Sequence, residues 1–95
     1  MGLSEPVFSQ KQQAKTYIIE IKQMKFIPDK LILNKGDTVI WVNKDFFSHD
    51  VTELTNKEWS STEIEKGDSW KKVITKSTNY YCSLHVVMKG SLVIN

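Results

Sequence analysis

The chain is predicted to be an all-β domain, a sandwich or barrel, on three observations. Apolar residues alternate with a period of two through several short segments, and turn residues recur about every 8 to 12 positions. No segment carries a helical period bounded by start and stop signals. The 95 residues are enough for one domain with its own core. Hydrophobic residues at 40% and charged residues at 25% match a folding chain rather than a disordered one.

Residues 1–15 are polar and aperiodic, so they are expected to be a flexible lead-in to a domain spanning 16–95. From Thr16 the texture changes: Tyr17, Ile19 and Ile21 alternate with Ile18, Glu20 and Lys22, the pattern of a half-buried strand. Next, "KLILNKGDTVIWVN" reads as a hairpin, with Leu31 and Leu33 before a Lys35-Gly36-Asp37 turn and Val39 and Trp41 after it. Further strands are expected at Asp50 to Leu54, Ser69 to Thr75, Asn79 to Cys82 and in the terminal "GSLVIN". Between Asn56 and Ile64 the serines and threonines favour a loop over a short helix.

Composition narrows the function. The net charge is +2, and all 13 basic residues are lysine. A weak, interspersed charge without arginine forks excludes a nucleic-acid binder. No apolar run approaches the roughly 18 residues of a membrane span. A single cysteine rules out an intramolecular disulfide.

That cysteine stands in "YYCSLHVVMKG", where Cys82, His85 and Met88 are evenly spaced. As a helical stripe they would be core, but Tyr80, Tyr81, Val86 and Val87 are poor helix formers and Asn79 and Gly90 punctuate the ends. As a Cys/His catalytic pair they lack any signal for an orienting third group or an oxyanion site. As metal ligands they combine thiolate, imidazole and thioether, a set suited to copper in both oxidation states. Zinc sites have little use for the methionine. Blue copper sites take two histidines, a cysteine and a weak axial methionine, which predicts that the only other histidine, His49, joins the site.

These residues resemble the cupredoxins, in the plastocyanin-like branch. "MKFIPDKLILNKGDTVIWVNKD" is similar to the family's strand-turn-strand segment, "HDV" to its first-histidine motif, and "YYCSLHVVMKGSLVIN" to its ligand loop and last strand. The spacing Cys-x2-His-x2-Met is similar to that of the amicyanin type. The resemblance implies a Greek-key sandwich of about eight strands holding one type 1 copper ion. Its ligands would be His49, Cys82, His85 and Met88, with Cys82, His85 and Met88 on one loop between two strands.

Asp50 stands where the family commonly has asparagine, and is expected to accept hydrogen bonds from Ser83 beside the thiolate, lowering the reduction potential. Asn43 joins Asp50 and Ser83 among the residues expected to support the ligands. Tyr80 is expected to fill the core behind the site, with Tyr81 at the surface.

The implied activity is one-electron transfer by a non-enzymatic monomer that meets a redox donor and acceptor transiently. The implied compartment is the periplasm or another extracytoplasmic space, with any leader outside the present chain. Partners would dock on an apolar patch around His85 formed by Leu84, Val86, Val87 and Phe47. A chaperone or storage domain delivering Cu(I) is the alternative from another class. A subdomain of a copper enzyme is a third, disfavoured by the short chain and the absence of histidines for a second copper centre.

Overall fold

Period-two alternation becomes two four-stranded sheets packed face to face in the computed structural model, which describes residues 13–95. The strands are β1 (Thr16–Lys22), β2 (Lys25–Ile27), β3 (Lys30–Leu33), β4 (Thr38–Asn43), β5 (Thr52–Glu53), β6 (Ser69–Val73), β7 (Thr78–Cys82) and β8 (His85–Ile94). One sheet runs β2-β1-β4-β6 and the other β3-β8-β7-β5. The chain changes sheet at every connection from β2 to β7, so four of the six strand pairings join strands that are not consecutive.

The inward face of β1 is Ile19 and Ile21, both fully buried, while Ile18 on the outer face is exposed. Strand β4 buries Val39, Trp41 and Asn43 on one face. Across the interlayer space Trp41 meets Tyr80 of β7 edge-on, with ring centroids 5.4 Å apart, and Tyr80 meets Phe26 of β2 at 4.8 Å. Such pairs add about 0.5–1.5 kcal/mol each to the burial of their area. Tyr80 therefore fills the core behind Cys82, as expected, and Tyr81 is half-buried.

Three expectations are corrected. "KLILNKGDTVIWVN" is not a hairpin: β3 pairs in parallel with β8, and β4 lies in the other sheet between β1 and β6. The buried Asp37 carboxylate causes the divergence locally, since it accepts from the amides of Asn34 at 2.9 Å and Lys15 at 2.8 Å and so ties the turn to the start of β1. The Lys15 amide thus anchors the residue just ahead of β1 to that turn, and the lead-in up to residue 12 lies outside the described residues.

The strand expected from Asp50 to Leu54 shortens to Thr52–Glu53. Its preceding amides are diverted, that of Val51 to Ser61 Oγ and that of Asp50 to Cys82 Sγ.

The stretch after Cys82 is not a free loop. Ser83 and Leu84 make a turn, and His85 opens the ten-residue strand β8. Cys82 pairs with His85 and Tyr81 with Lys89, so the register slips and Val86, Val87 and Met88 have no paired residue on β7. The strand β2 in "KFI" carries no alternation long enough to be seen in the sequence.

Candidate metal centre

One end of the sandwich gathers the chemistry. Four elements meet there: the β1–β2 turn, the segment after β4, the loop before β6, and the β7–β8 turn. Cys82 ends β7 and is fully buried; His85, half-exposed, begins β8 three residues later. His49 arrives from the segment after β4, also fully buried. Its backbone forms a two-way bridge with Ile64, His49 N to Ile64 O at 3.2 Å and Ile64 N to His49 O at 2.7 Å.

The donor atoms converge. Cys82 Sγ lies 3.7 Å from His49 Nδ1 and 3.7 Å from His85 Nδ1, and the ligand atoms of the three residues all lie within 4.8 Å of one another. Two imidazole nitrogens and a thiol sulfur around one point suit a borderline-to-soft transition ion far better than calcium or magnesium, which take oxygen. Met88 is buried in the same core cluster as Cys82, at 2% exposure.

Each element is held by groups that reach across it. Asp50 accepts at Oδ1 from the Ser83 amide at 2.7 Å and from Thr52 Oγ1 at 3.0 Å, and at Oδ2 from the Ser83 hydroxyl. The Asp50 amide in turn donates to Cys82 Sγ at 3.4 Å. The expected Asp50–Ser83 link is therefore present, and it locks the segment carrying His49 to the turn after Cys82.

Among the described residues Asn43 makes no hydrogen bond to the three converging side chains. It points inward from the end of β4 and donates through Nδ2 to the carbonyls of Phe47 and Ile64, both at 2.8 Å, while Oδ1 accepts the Asp45 amide. Its contribution is to join the two segments that flank His49. A buried amide with three good hydrogen bonds is worth keeping, because each partner stranded without it costs about 1–3 kcal/mol.

Sequence reasoning missed Asp45. Its carboxylate accepts from Gln23 N at 2.7 Å, Met24 N at 2.9 Å and His49 Nε2 at 2.9 Å. Gln23 and Met24 both have positive φ, 54° and 59°, so the tight turn aims two successive amides at one anion. Burial works against ionisation of Asp45, but the amides of Met24 and Gln23 together with His49 outweigh it and hold the carboxyl below its ordinary range. The available signal was an acid four residues before a candidate metal-binding histidine, where carboxylate partners are common.

The surface around His85 is apolar. Val87 is 84% exposed, Phe46 83%, Phe47 61% and Val86 60%, with Leu84 also open. Phe47 meets the His85 ring edge-on at 6.2 Å. Met24 is half-buried and packs on the core. Lys66 lies over the ring of Phe46 at 4.3 Å.

Known proteins agree with this architecture. The chain is 26% identical over 83 residues to amicyanin from Paracoccus denitrificans, an overlap covering 81% of the chain and 63% of that amicyanin. It is 27% identical to plastocyanin from Synechococcus sp. (strain JA-2-3B'a(2-13)), covering 99% of the chain and 84% of the plastocyanin. Among solved structures, the reduced Cu(I) form at pH 4 of a mutant amicyanin superposes with a TM-score of 0.78 at 22% identity, covering 92% of this chain and 88% of that one. The family profile of copper binding proteins, plastocyanin/azurin family, matches residues 13–95, and the chain belongs to that family.

Proposed function

We propose that His49, Cys82, His85 and Met88 hold one type 1 copper ion and that the chain carries single electrons between protein partners it meets briefly. The observation that carries this reading is the convergence of two imidazole Nδ1 atoms on one cysteine sulfur, both at 3.7 Å, within a buried end of a rigid sandwich. Copper bound there supplies a one-electron Cu(I)/Cu(II) couple. The residues supply everything else.

His49 is anchored at its backbone by Ile64 and at Nε2 by Asp45, so its Nδ1 faces the Cys82 sulfur. Cys82 receives the Asp50 amide, which disperses thiolate charge without adding a proton. Met88, buried in the same core cluster, would supply a soft and weak thioether donor. His85 is the only one of the four with an edge toward solvent, and the apolar side chains of Val86, Val87, Leu84 and Phe47 exclude water around it when a partner docks. A small, mostly apolar patch suits contacts that form and dissolve quickly.

Delivery of Cu(I) to another protein fits less well, because ligand exchange needs access to sulfur and Cys82 and Met88 are both buried. By analogy with amicyanin and plastocyanin, residues 16–95 form the electron-transfer domain, residues 1–15 lead into it, and the protein works outside the cytoplasm. Visible spectroscopy of the copper-loaded chain tests the core of the reading. An intense band near about 600 nm, lost in Cys82→Ser, is expected of a Cu(II)–thiolate bond, and its absence in the unsubstituted chain refutes the assignment.

A further inference from the structure

Two carboxylates, one buried and one half-buried, reach the donor set, each through a different ligand. Asp45 binds the far nitrogen of the His49 ring, and Asp50 binds both the amide and the hydroxyl of Ser83, the residue after Cys82. Resting on the copper reading above, we infer that Asp45 and Asp50 act together as built-in charges that favour the oxidised ion over the reduced one, Asp45 doing so as the positioning residue for His49.

Both anions are held by the protein's own donors. Asp45 is triply anchored by Gln23 N, Met24 N and His49 Nε2, and its side chain is only 13% exposed. Asp50 is 5% exposed and accepts from Ser83 twice and from Thr52. With so little water around them, their charges are weakly screened.

Formal charge gives the direction of the effect. A dication and a thiolate leave one net positive charge, whereas a monocation and a thiolate leave none. Adding two carboxylates turns the oxidised site into a single net negative charge and the reduced one into a double, so the reduced state bears more of the repulsion. The hydrogen bond from His49 Nε2 adds to this, because a ring donating to a carboxylate is a more basic ligand at Nδ1.

The experiment compares the copper-loaded full chain with Asp45→Asn, Asp50→Asn and the double variant, by redox titration against mediators at fixed pH while the visible band is followed. Asparagine keeps an acceptor oxygen and removes the charge. Each single substitution is expected to shift the ratio of Cu(I) to Cu(II) affinity about tenfold toward Cu(I), ~59 mV for a one-electron couple. The double variant is expected to show about the product of the two.

Retention of the band with ratios within about twofold of the unsubstituted chain in both singles overturns the inference. A second readout needs neither copper nor a variant: nitrogen NMR of the copper-free chain is expected to show His49 protonated at Nε2 and bare at Nδ1. A proton at Nδ1 instead overturns the positioning role of Asp45. In Asp45→Ala the Nε2–H tautomer is expected to lose its preference, and in Asp45→Asn to regain it. If the unsubstituted chain shows no visible band, the copper reading itself fails and the charge effect with it, while the copper-free spectrum still decides how His49 is held.

Discussion

Gly90 is the position where the smallest chemical change is expected to do the most damage. It lies directly opposite Tyr80 in the β7–β8 pairing, and the tyrosine ring covers it. A Cβ built on Gly90 would overlap Tyr80 Cζ and Oη and sit 2.8 Å from Cε1, closer than carbon atoms approach. The ring has nowhere to retreat: Tyr80 is fully buried, with Phe26 at 4.8 Å and Trp41 at 5.4 Å.

Overpacking a filled core costs about 1–3 kcal/mol, and a clash against a ring braced by two others belongs at the upper end, ~3 kcal/mol. At roughly 4–8 °C per kcal/mol for a domain of this size, Gly90→Ala is expected to lower the melting temperature by ~12–24 °C. Urea unfolding of the copper-free chain, followed by tryptophan fluorescence, measures the loss without interference from the metal. Tyr80→Leu opens the space at its own cost, and combined with Gly90→Ala it is expected to show a favourable coupling of at least ~1 kcal/mol. Gly90→Ala within ~0.5 kcal/mol of the unsubstituted chain, or additivity in the double variant, refutes the packing argument.

Asn43→Ala is expected to cost ~3 kcal/mol, because it strands the carbonyls of Phe47 and Ile64 and the amide of Asp45. Asn43→Asp is expected to be no better, since it turns a double donor into an acceptor facing two carbonyls; urea midpoints check both. Stability is expected to fall in acid through Asp37 and Glu53. The Lys15 and Asn34 amides hold Asp37 below its ordinary range, and the Glu58, Asn56 and Thr55 amides do the same for Glu53. Folded-state values below the unfolded ones mean a contribution that is complete above the ordinary carboxylate range and is lost as pH falls through the depressed values. Thermal melts of Asp37→Asn and Glu53→Gln should therefore show a shallower acid slope than the unsubstituted chain, and an unchanged slope rejects these groups as the cause. Val87→Asp is expected to slow electron self-exchange of the copper-loaded chain by about tenfold or more while leaving the visible band in place, because it puts like charges face to face on the proposed docking patch. Line broadening in mixtures of the two oxidation states reads that rate.

The strands whose one face is buried were legible, and those defined by their partners were not. Ile19, Ile21, Val39 and Trp41 announce an inward face by alternation alone. Alternation says nothing about which strand lies alongside, and so Leu31–Leu33 and Val39–Trp41 read as one hairpin although Asp37 sends them to different sheets. Cys82, His85 and Met88 were visible because their donor chemistry is rare and close together. His49 followed because that chemistry needed a second imidazole. Asp45 was invisible for the opposite reason: an acid in a polar loop is ordinarily solvated, and its contacts to Gln23, Met24 and His49 exist only once the sheet brings those segments together.

The supports around the centre are unequal, and the inequality matters for how it works. His49 is tied through its backbone to Ile64 and through its ring to Asp45, and Cys82 is flanked by the Asp50–Ser83 link. His85 has no second hydrogen bond to its ring among the described residues; what bounds it is the edge of Phe47 and the ring of His49, 4.9 Å between centroids. Rearrangement that accompanies a change of charge at the centre therefore falls on His85 rather than on the ligands behind it. The same residue faces the apolar patch, so under the proposed function the one ligand free to adjust is also the one a docked partner would press upon. Partner contact at Phe47 and Val86 would then restrict His85 directly, and through it the energy needed to move the electron, without disturbing the three ligands held from within.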